Sequence, residues 1–183
     1  MELNPSAAAR VRAMGFEIFE ADLAALLGRI AAPFDAVCAF QVLEHVPDPR
    51  GFLEGMLKVL RPGGKLVLSV PNAAVMRVID PKRKELLNQP PHHVSHWDEG
   101  VFHALERLLP VRVRQVCREP LAPYHIDWFL SAYSNVLQAR FSRAGGLLLL
   151  NRVTKPPIHW LLARGLRYLV PGHTLLVVLE YRT

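Results

Sequence analysis

Between Phe34 and Asn72 the spacing of apolar residues changes twice, and each change marks the edge of an element. Phe34–Phe40 is apolar on both faces except at Asp35, the pattern of a central parallel strand. Phe52, Leu53, Met56, Leu57 and Leu60 then fall at i, i+1, i+4, i+5 and i+8, which is one face of a helix. Asp48-Pro49 supplies a capping side chain followed by proline at the first helical position. Pro62 and Gly63-Gly64 end that helix, and Lys65–Val70 is a second buried strand opening into the loop at Pro71-Asn72. Two parallel strands joined by a helix bring both following loops to one sheet edge, where α/β proteins hold their ligands.

The flanks extend the alternation. Asn4-Pro5 starts a helix with Ala7, Ala8, Val11 and Met14 turned inward, and Gly15 stops it. Phe16–Ala21 reads as a short strand ending at Asp22, and Leu23–Ile30 as a weak helical turn. Pro90-Pro91-His92-His93 is extended, and Asp98 caps a helix over Glu99–Leu109. Val111–Val116 alternates with period two. Asp127–Phe141 carries Leu130, Tyr133, Leu137 and Phe141 on a helical face, and Pro157–Leu169 does the same with Leu161, Leu162 and Leu169. Thr174–Tyr181 closes the chain as a strand. The alternation predicts an α/β doubly wound sheet. The expected organisation is a core over residues 1–121, a helical insertion or lid over 122–171, and a last core strand over 172–183.

Composition narrows the class. The 183 residues are 51% hydrophobic and 21% charged, as in globular proteins. The longest aliphatic run, Leu147–Leu150, is far below the roughly 18–20 residues of a transmembrane segment. Met1 leads directly into a polar, acidic segment, so no signal peptide is expected. Cys38 and Cys117 sit in apolar runs and are expected as buried reduced thiols, which favours a cytoplasmic location. The net charge is +6 and the pI about 9.7. The cations are scattered, and the densest cluster, Lys82-Arg83-Lys84, reads as a solvated helix face, so nucleic-acid binding is not expected.

Gln41-Val42-Leu43-Glu44-His45-Val46 after the first strand and Leu60-Arg61-Pro62-Gly63-Gly64 before the second resemble class I S-adenosylmethionine-dependent methyltransferases. The resemblance runs from Glu2 to about Arg118, with the last strand in keeping. Pro90-Pro91-His92-His93 followed by Trp97 is similar to a subset acting on small-molecule or lipid-like acceptors, including quinone-precursor O-methyltransferases. The resemblance implies a Rossmann-like sheet, mostly parallel with an antiparallel last strand, and S-adenosyl-L-methionine as cofactor. It places Glu2 at the ribose hydroxyls, Asp22 and the Leu23 amide at the adenine, and Phe40 and Gln41 at the methionine and sulfonium end; His45, a further cofactor-side candidate, has a structural reading as packing under the cofactor loop. Phe40 could also favour the sulfonium by a cation–π contact. The family's glycine-rich loop, E/D-x-G-x-G-x-G, has no counterpart upstream of Glu2, so a chain lacking the family's first strand is expected. In the family that strand lies between the second and the fourth, and without it the sheet centre keeps unpaired edges.

Candidate catalytic groups are His45, His92 and His93, because imidazole titrates near neutrality. Glu44 has a structural reading as complement to a helix N-terminus, and Trp97 one as a packing anchor for the lid. His92, His93 and His96 lack an acidic or thiol partner at local ligand spacing, so no metal is expected. Arg164 and Arg167 flank an apolar helical face with Trp160, which reads as a buried lid helix with a solvated edge or as a peripheral membrane contact. The function expected is in-line methyl transfer to an oxygen, nitrogen or carbon nucleophile of a small or lipid-like acceptor. Two alternatives stay open: a non-catalytic remnant or partner subunit completed by another chain, and another doubly wound nucleotide-cofactor enzyme, such as a nicotinamide-dependent reductase.

Overall fold

The computed structural model describes residues 1–27, 29–30, 33–80, 85–141, 151 and 153–182. Helix α1 (Pro5–Ala13) and α2 (Leu23–Leu27) precede β1 (Phe34–Phe40), α3 (Pro49–Lys58) and β2 (Leu60–Pro71). Then come α4 (Ala73–Ile79), α5 (Glu99–Leu105), β3 (Val111–Pro120), α6 (Ile126–Phe141), α7 (Lys155–Arg164) and β4 (Pro171–Tyr181). The four strands described form one sheet in the order β1-β2-β4-β3. β1 and β2 are parallel, and β4 runs antiparallel to both β2 and β3. Three strands therefore point one way and the last opposes them, as the family resemblance implies.

Register explains the core. Leu66, Leu68 and Val70 on β2 stand opposite Leu179, Val177 and Leu175 on β4, so one sheet face carries six adjacent buried aliphatics. The apolar face of α3 (Leu53, Met56, Leu57) and Phe102 and Leu105 of α5 belong to the same cluster. The capping expectations hold: Asn4, Asp48 and Asp98 each accept a backbone N–H of the following turn. Gly63 adopts φ +76°, and a side chain at Gly64 would lie 2.8 Å from the Arg61 carbonyl oxygen, which is why paired glycines turn the chain into β2. A second cluster joins Leu121, Ile126, Leu130 and Leu162 under α6 and α7. Trp97 is buried beside Phe102, with ring centroids 5.4 Å apart, so it anchors the main core.

Several expectations are corrected. β1 is an edge strand and not a central one: Ala39 is its single buried residue, and Phe34 and Phe40 are 45% and 56% exposed. Apolar content on both faces marks a strand built to be covered, but no described element pairs with its outer edge. Cys38 is consequently exposed and Cys117 half-buried; both thiols are free. Phe16–Ala21 is extended but forms no strand, since it has no ladder partner beyond the bond from Glu2 N to the Phe19 carbonyl. Met14, assigned to an inward stripe, is exposed. α5 ends at Leu105, four residues early, where turns take over. Over Pro157–Leu169 Gly165 breaks the helix at φ +150°, so Leu162 is buried while Leu161 and Leu169 are exposed. Lys82-Arg83-Lys84, Leu147–Leu150 and the side chain of Phe141 lie outside the described residues. No described helix is long and apolar enough to cross a membrane.

Candidate active site

The carboxyl ends of β1 and β2 meet the start of β4 and the end of β3 around a cavity of about 820 Å³. β1 hands over to it through Gln41, a non-glycine residue at φ +53°. Its amide nitrogen donates to the Ser69 carbonyl at 2.9 Å and its side-chain amide reaches Ser69 Oγ at 3.4 Å. A non-glycine backbone held in this sparsely populated region marks a place where the surrounding structure over-determines it. Phe40 and Gln41 line the cavity, as the sequence reading places them at a ligand edge.

The opposite wall was not predicted. Tyr124 and His125, from the turn ahead of α6, and His173, near the start of β4, line the same cavity. The His173 ring centre lies 4.2 Å from that of His125 and 4.4 Å from that of Trp128, and Tyr124 packs at a tilt against His125 at 4.3 Å. The His173 carbonyl accepts from Asn72 N at 2.5 Å, which ties the cluster to the end of β2. Burial, helped by the neighbouring His125, pushes the His173 imidazole down to about 4, so it is neutral at physiological pH. Its Nδ1 is buried without a hydrogen-bond partner. Proline and glycine turns at Pro123 and Pro171-Gly172 marked both loops in the sequence. Only folding brings positions 48 residues apart together.

The nucleoside-binding candidates lie elsewhere. Glu2, Asp22 and Leu23 border a second cavity of about 810 Å³ whose walls include Leu27, Val42 and Phe52. Glu2 Oε1 accepts from Asn4 N and Asp22 Oδ1 from Ala25 N, each at 2.8 Å, so both carboxylates are oriented by backbone. Gly55 allows Leu23 to lie against α3: an added Cβ would stand 2.9 Å from Leu23 Cδ2. An apolar slot with carboxylates at its rim fits an adenosyl group. The six cofactor candidates are thus split, with Glu2, Asp22 and Leu23 in this cavity, Phe40 and Gln41 in the other, and His45 lining neither.

His45, His92 and His93 gather around the turn Leu43–His45 instead of at the cavity lined by Phe40 and His173. His45 Nδ1 is 2.5 Å from the His92 carbonyl oxygen, and the His45 and His93 rings are 5.0 Å apart. His93 also approaches Asn88 Oδ1 at 3.2 Å, and burial together with the neighbouring His45, His96 and His92 depresses its basicity. Glu44 is not a surface complement to a helix: it is buried, and neither carboxylate oxygen has a hydrogen-bond partner. Burial raises its pKa, opposed by the proximity of its own backbone amide and by His45 at 3.8 Å. Ligand atoms of Glu44, His45 and His93 lie within 4.8 Å of one another, a grouping that the local spacing of His92, His93 and His96 did not reveal.

A family model described as a methyltransferase domain matches residues 2–174. The chain is 32% identical over 70 residues to a mitochondrial ubiquinone biosynthesis O-methyltransferase of Dictyostelium discoideum, covering 37% of this chain and 22% of that protein. It is 45% identical over 47 residues to a ubiquinone biosynthesis O-methyltransferase of Xylella fastidiosa strain 9a5c, covering 26% and 19% respectively. The aligned part thus spans about a fifth of these curated relatives' own length. Among solved structures, a chain of the complex between the Haloferax volcanii Trm112 methyltransferase activator and a methyltransferase superposes with a TM-score of 0.53 at 16% identity, covering 100% of this chain and 70% of that one. The cyclopropane synthase MmaA2 of Mycobacterium tuberculosis gives 0.52 at 14% identity, covering 97% and 67%. Coclaurine N-methyltransferase bound to N-methylheliamine and SAH gives 0.52 at 12% identity, covering 97% and 58%. At these identities the superpositions speak for the fold alone. The match over residues 2–174, with the sheet topology, makes this chain a member of the class I S-adenosylmethionine-dependent methyltransferase family.

Proposed function

We propose that the chain transfers a methyl group from S-adenosylmethionine to a hydroxyl of a small-molecule or lipid-like acceptor. The observation that carries this reading is the cavity at the carboxyl ends of β1 and β2, walled by Phe40, Gln41, Tyr124, His125 and His173. Its ring-rich wall suits a planar aromatic acceptor, in keeping with the ubiquinone biosynthesis O-methyltransferases among the relatives. S-adenosylmethionine, when bound, supplies the electrophilic methyl group. Glu2, Asp22 and Leu23 hold its adenosyl part in the 810 Å³ slot, and Phe40 and Gln41 face its sulfonium end. His173, neutral because it is buried, accepts the hydrogen bond of the acceptor hydroxyl, fixes its oxygen and takes up its proton as the oxygen gains the methyl group and the sulfur–methyl bond breaks. The helices α6 and α7 act as a lid that excludes water from the acceptor.

Calorimetric titration with S-adenosylhomocysteine tests the cofactor half. Saturable binding, weakened about tenfold by Asp22→Asn as one charge-assisted hydrogen bond is lost, is expected. Transfer of labelled methyl to a panel of dihydroxylated aromatic acids tests the other half. Absence of both sinks the reading.

A second reading has its own observation: among the described residues nothing pairs with the outer edge of β1, and Phe34, Phe40 and Cys38 are exposed on that strand. A strand supplied by another chain would cover it by edge addition, and a relative in fold has been solved with an activator subunit. S-adenosylhomocysteine binding that appears only when a partner is added would select this reading.

A further inference from the structure

Every unit of this chain's positive excess comes from one stretch. Between Asp127 and Glu180 there is no acidic residue, while six of the 22 Lys and Arg fall there; the remainder of the chain is neutral. Within that stretch α7 buries Leu162 against Ile126 and Leu130, and its opposite side is turned to solvent. Trp160, Leu161 and Arg164 occupy that outward arc, and Trp160 is 55% exposed. The turn Leu166–Leu169 extends it with Tyr168 and Leu169, the latter 81% exposed.

The cations are arranged with the rings. The Arg164 guanidinium lies 5.0 Å from the Trp160 ring centre and that of Arg167 lies 4.1 Å from the Tyr168 ring centre. Among the described residues Arg167 hydrogen-bonds neutral groups only, the Leu121 carbonyl and the Tyr168 hydroxyl, so no described carboxylate cancels its charge. Lys155, by contrast, is neutralised by Asp127 at 2.9 Å. Exposed leucines beside Trp, Tyr and uncompensated Arg reproduce the layering of a lipid interface: aliphatic groups deepest, rings at the headgroup level, guanidinium groups against phosphate. A nucleic acid would use the cations and rings but leave Leu161, Leu166 and Leu169 in water.

We propose that the outward face of α7 and the turn Leu166–Leu169 dock on an anionic lipid surface. The surface adjoins the proposed acceptor cavity, since the turn runs into β4 two residues ahead of Gly172-His173. An acceptor dissolved in the bilayer would therefore enter beside its binding site. This goes beyond the methyl-transfer reading, because docking needs neither cofactor nor acceptor.

The test is co-sedimentation of the full chain, without S-adenosylmethionine, with phosphatidylcholine vesicles containing about one-third phosphatidylglycerol, an anionic fraction that gives a negative surface potential. Binding that falls with added salt and is weak on pure phosphatidylcholine is expected. Arg164→Gln should lower the partition constant about fivefold, and Trp160→Ser with Leu169→Ser roughly tenfold or more. All three side chains are exposed or partnered only locally, and unchanged circular dichroism and thermal melting will show that the fold is kept. No binding to the anionic vesicles overturns the proposal, as does full binding by the Trp160→Ser, Leu169→Ser variant. Retention on DNA or on another protein without vesicle binding overturns it too. Methyl transfer in solution with no vesicle binding would sink this inference and leave the previous one standing.

Discussion

Gln41 and Glu44 sit three positions apart along the loop after β1, and each spends stability on its place. Gln41 at φ +53° carries about 1–3 kcal/mol of backbone strain that glycine would not. Gln41→Gly is expected to leave stability to urea unchanged or raise it by about 1 kcal/mol. Methyl transfer should fall, because the amide facing Ser69 is gone. A clear loss of stability would show that the amide contact outweighs the strain. For Glu44, burial raises the folded-state pKa above the unfolded one, so its contribution is complete at low pH and declines as pH rises through that window. Glu44→Gln should therefore melt higher than the parent at pH 7.5, with the difference vanishing near pH 4. Thermal melts across pH check this, and a lower melt at pH 7.5 would mean that the pairing with His45 outweighs burial.

At the scale of elements, the sheet is held by what register places side by side. Leu68 is fully buried opposite Val177, whereas Phe40, one strand over, is more than half exposed. Leu68→Ala should cost about 2–5 kcal/mol through the cavity it leaves, and Phe40→Ala under about 1 kcal/mol despite the larger side chain removed. Urea denaturation of the two variants measures both; equal losses would contradict the strand order. The helix starts were readable because capping is local: Asn4-Pro5, Asp48-Pro49 and Asp98 satisfy their own turns. Strand status was not local. Phe16–Ala21 carries strand-like residues but joins no ladder among the described residues, because a strand exists only with a neighbour to receive its hydrogen bonds.

For the whole molecule, pH provides the broadest test. His173 is held at about 4 by burial, below its unfolded value near 6.5, so the native state takes up fewer protons than the unfolded one in that window. Stability should fall as pH drops from 6.5 towards 4, by up to about 3 kcal/mol from this group alone. Glu44 contributes with the opposite sign. The difference between the parent and His173→Gln in denaturation series at stepped pH isolates the histidine; parallel curves would remove it from the buried cluster. His125 and Glu119 are the ionisable groups coupled to it, one lowering and one raising its pKa.

The sequence by itself determined the α/β class, the β1–α3–β2 unit, the helix caps and the sheet edge at which Phe40 and Gln41 end up, since apolar period and capping act over a few residues. It also carried the family resemblance, whose motifs lie in contiguous runs. Tertiary structure decided the rest. It made β1 an edge, separated His45, His92 and His93 from the acceptor-side cavity, and paired His125 with His173 there. It also turned Trp160 and Leu169 outward. Those outcomes depend on which distant surfaces meet, and burial, pKa and exposure are properties of that meeting, not of any one segment.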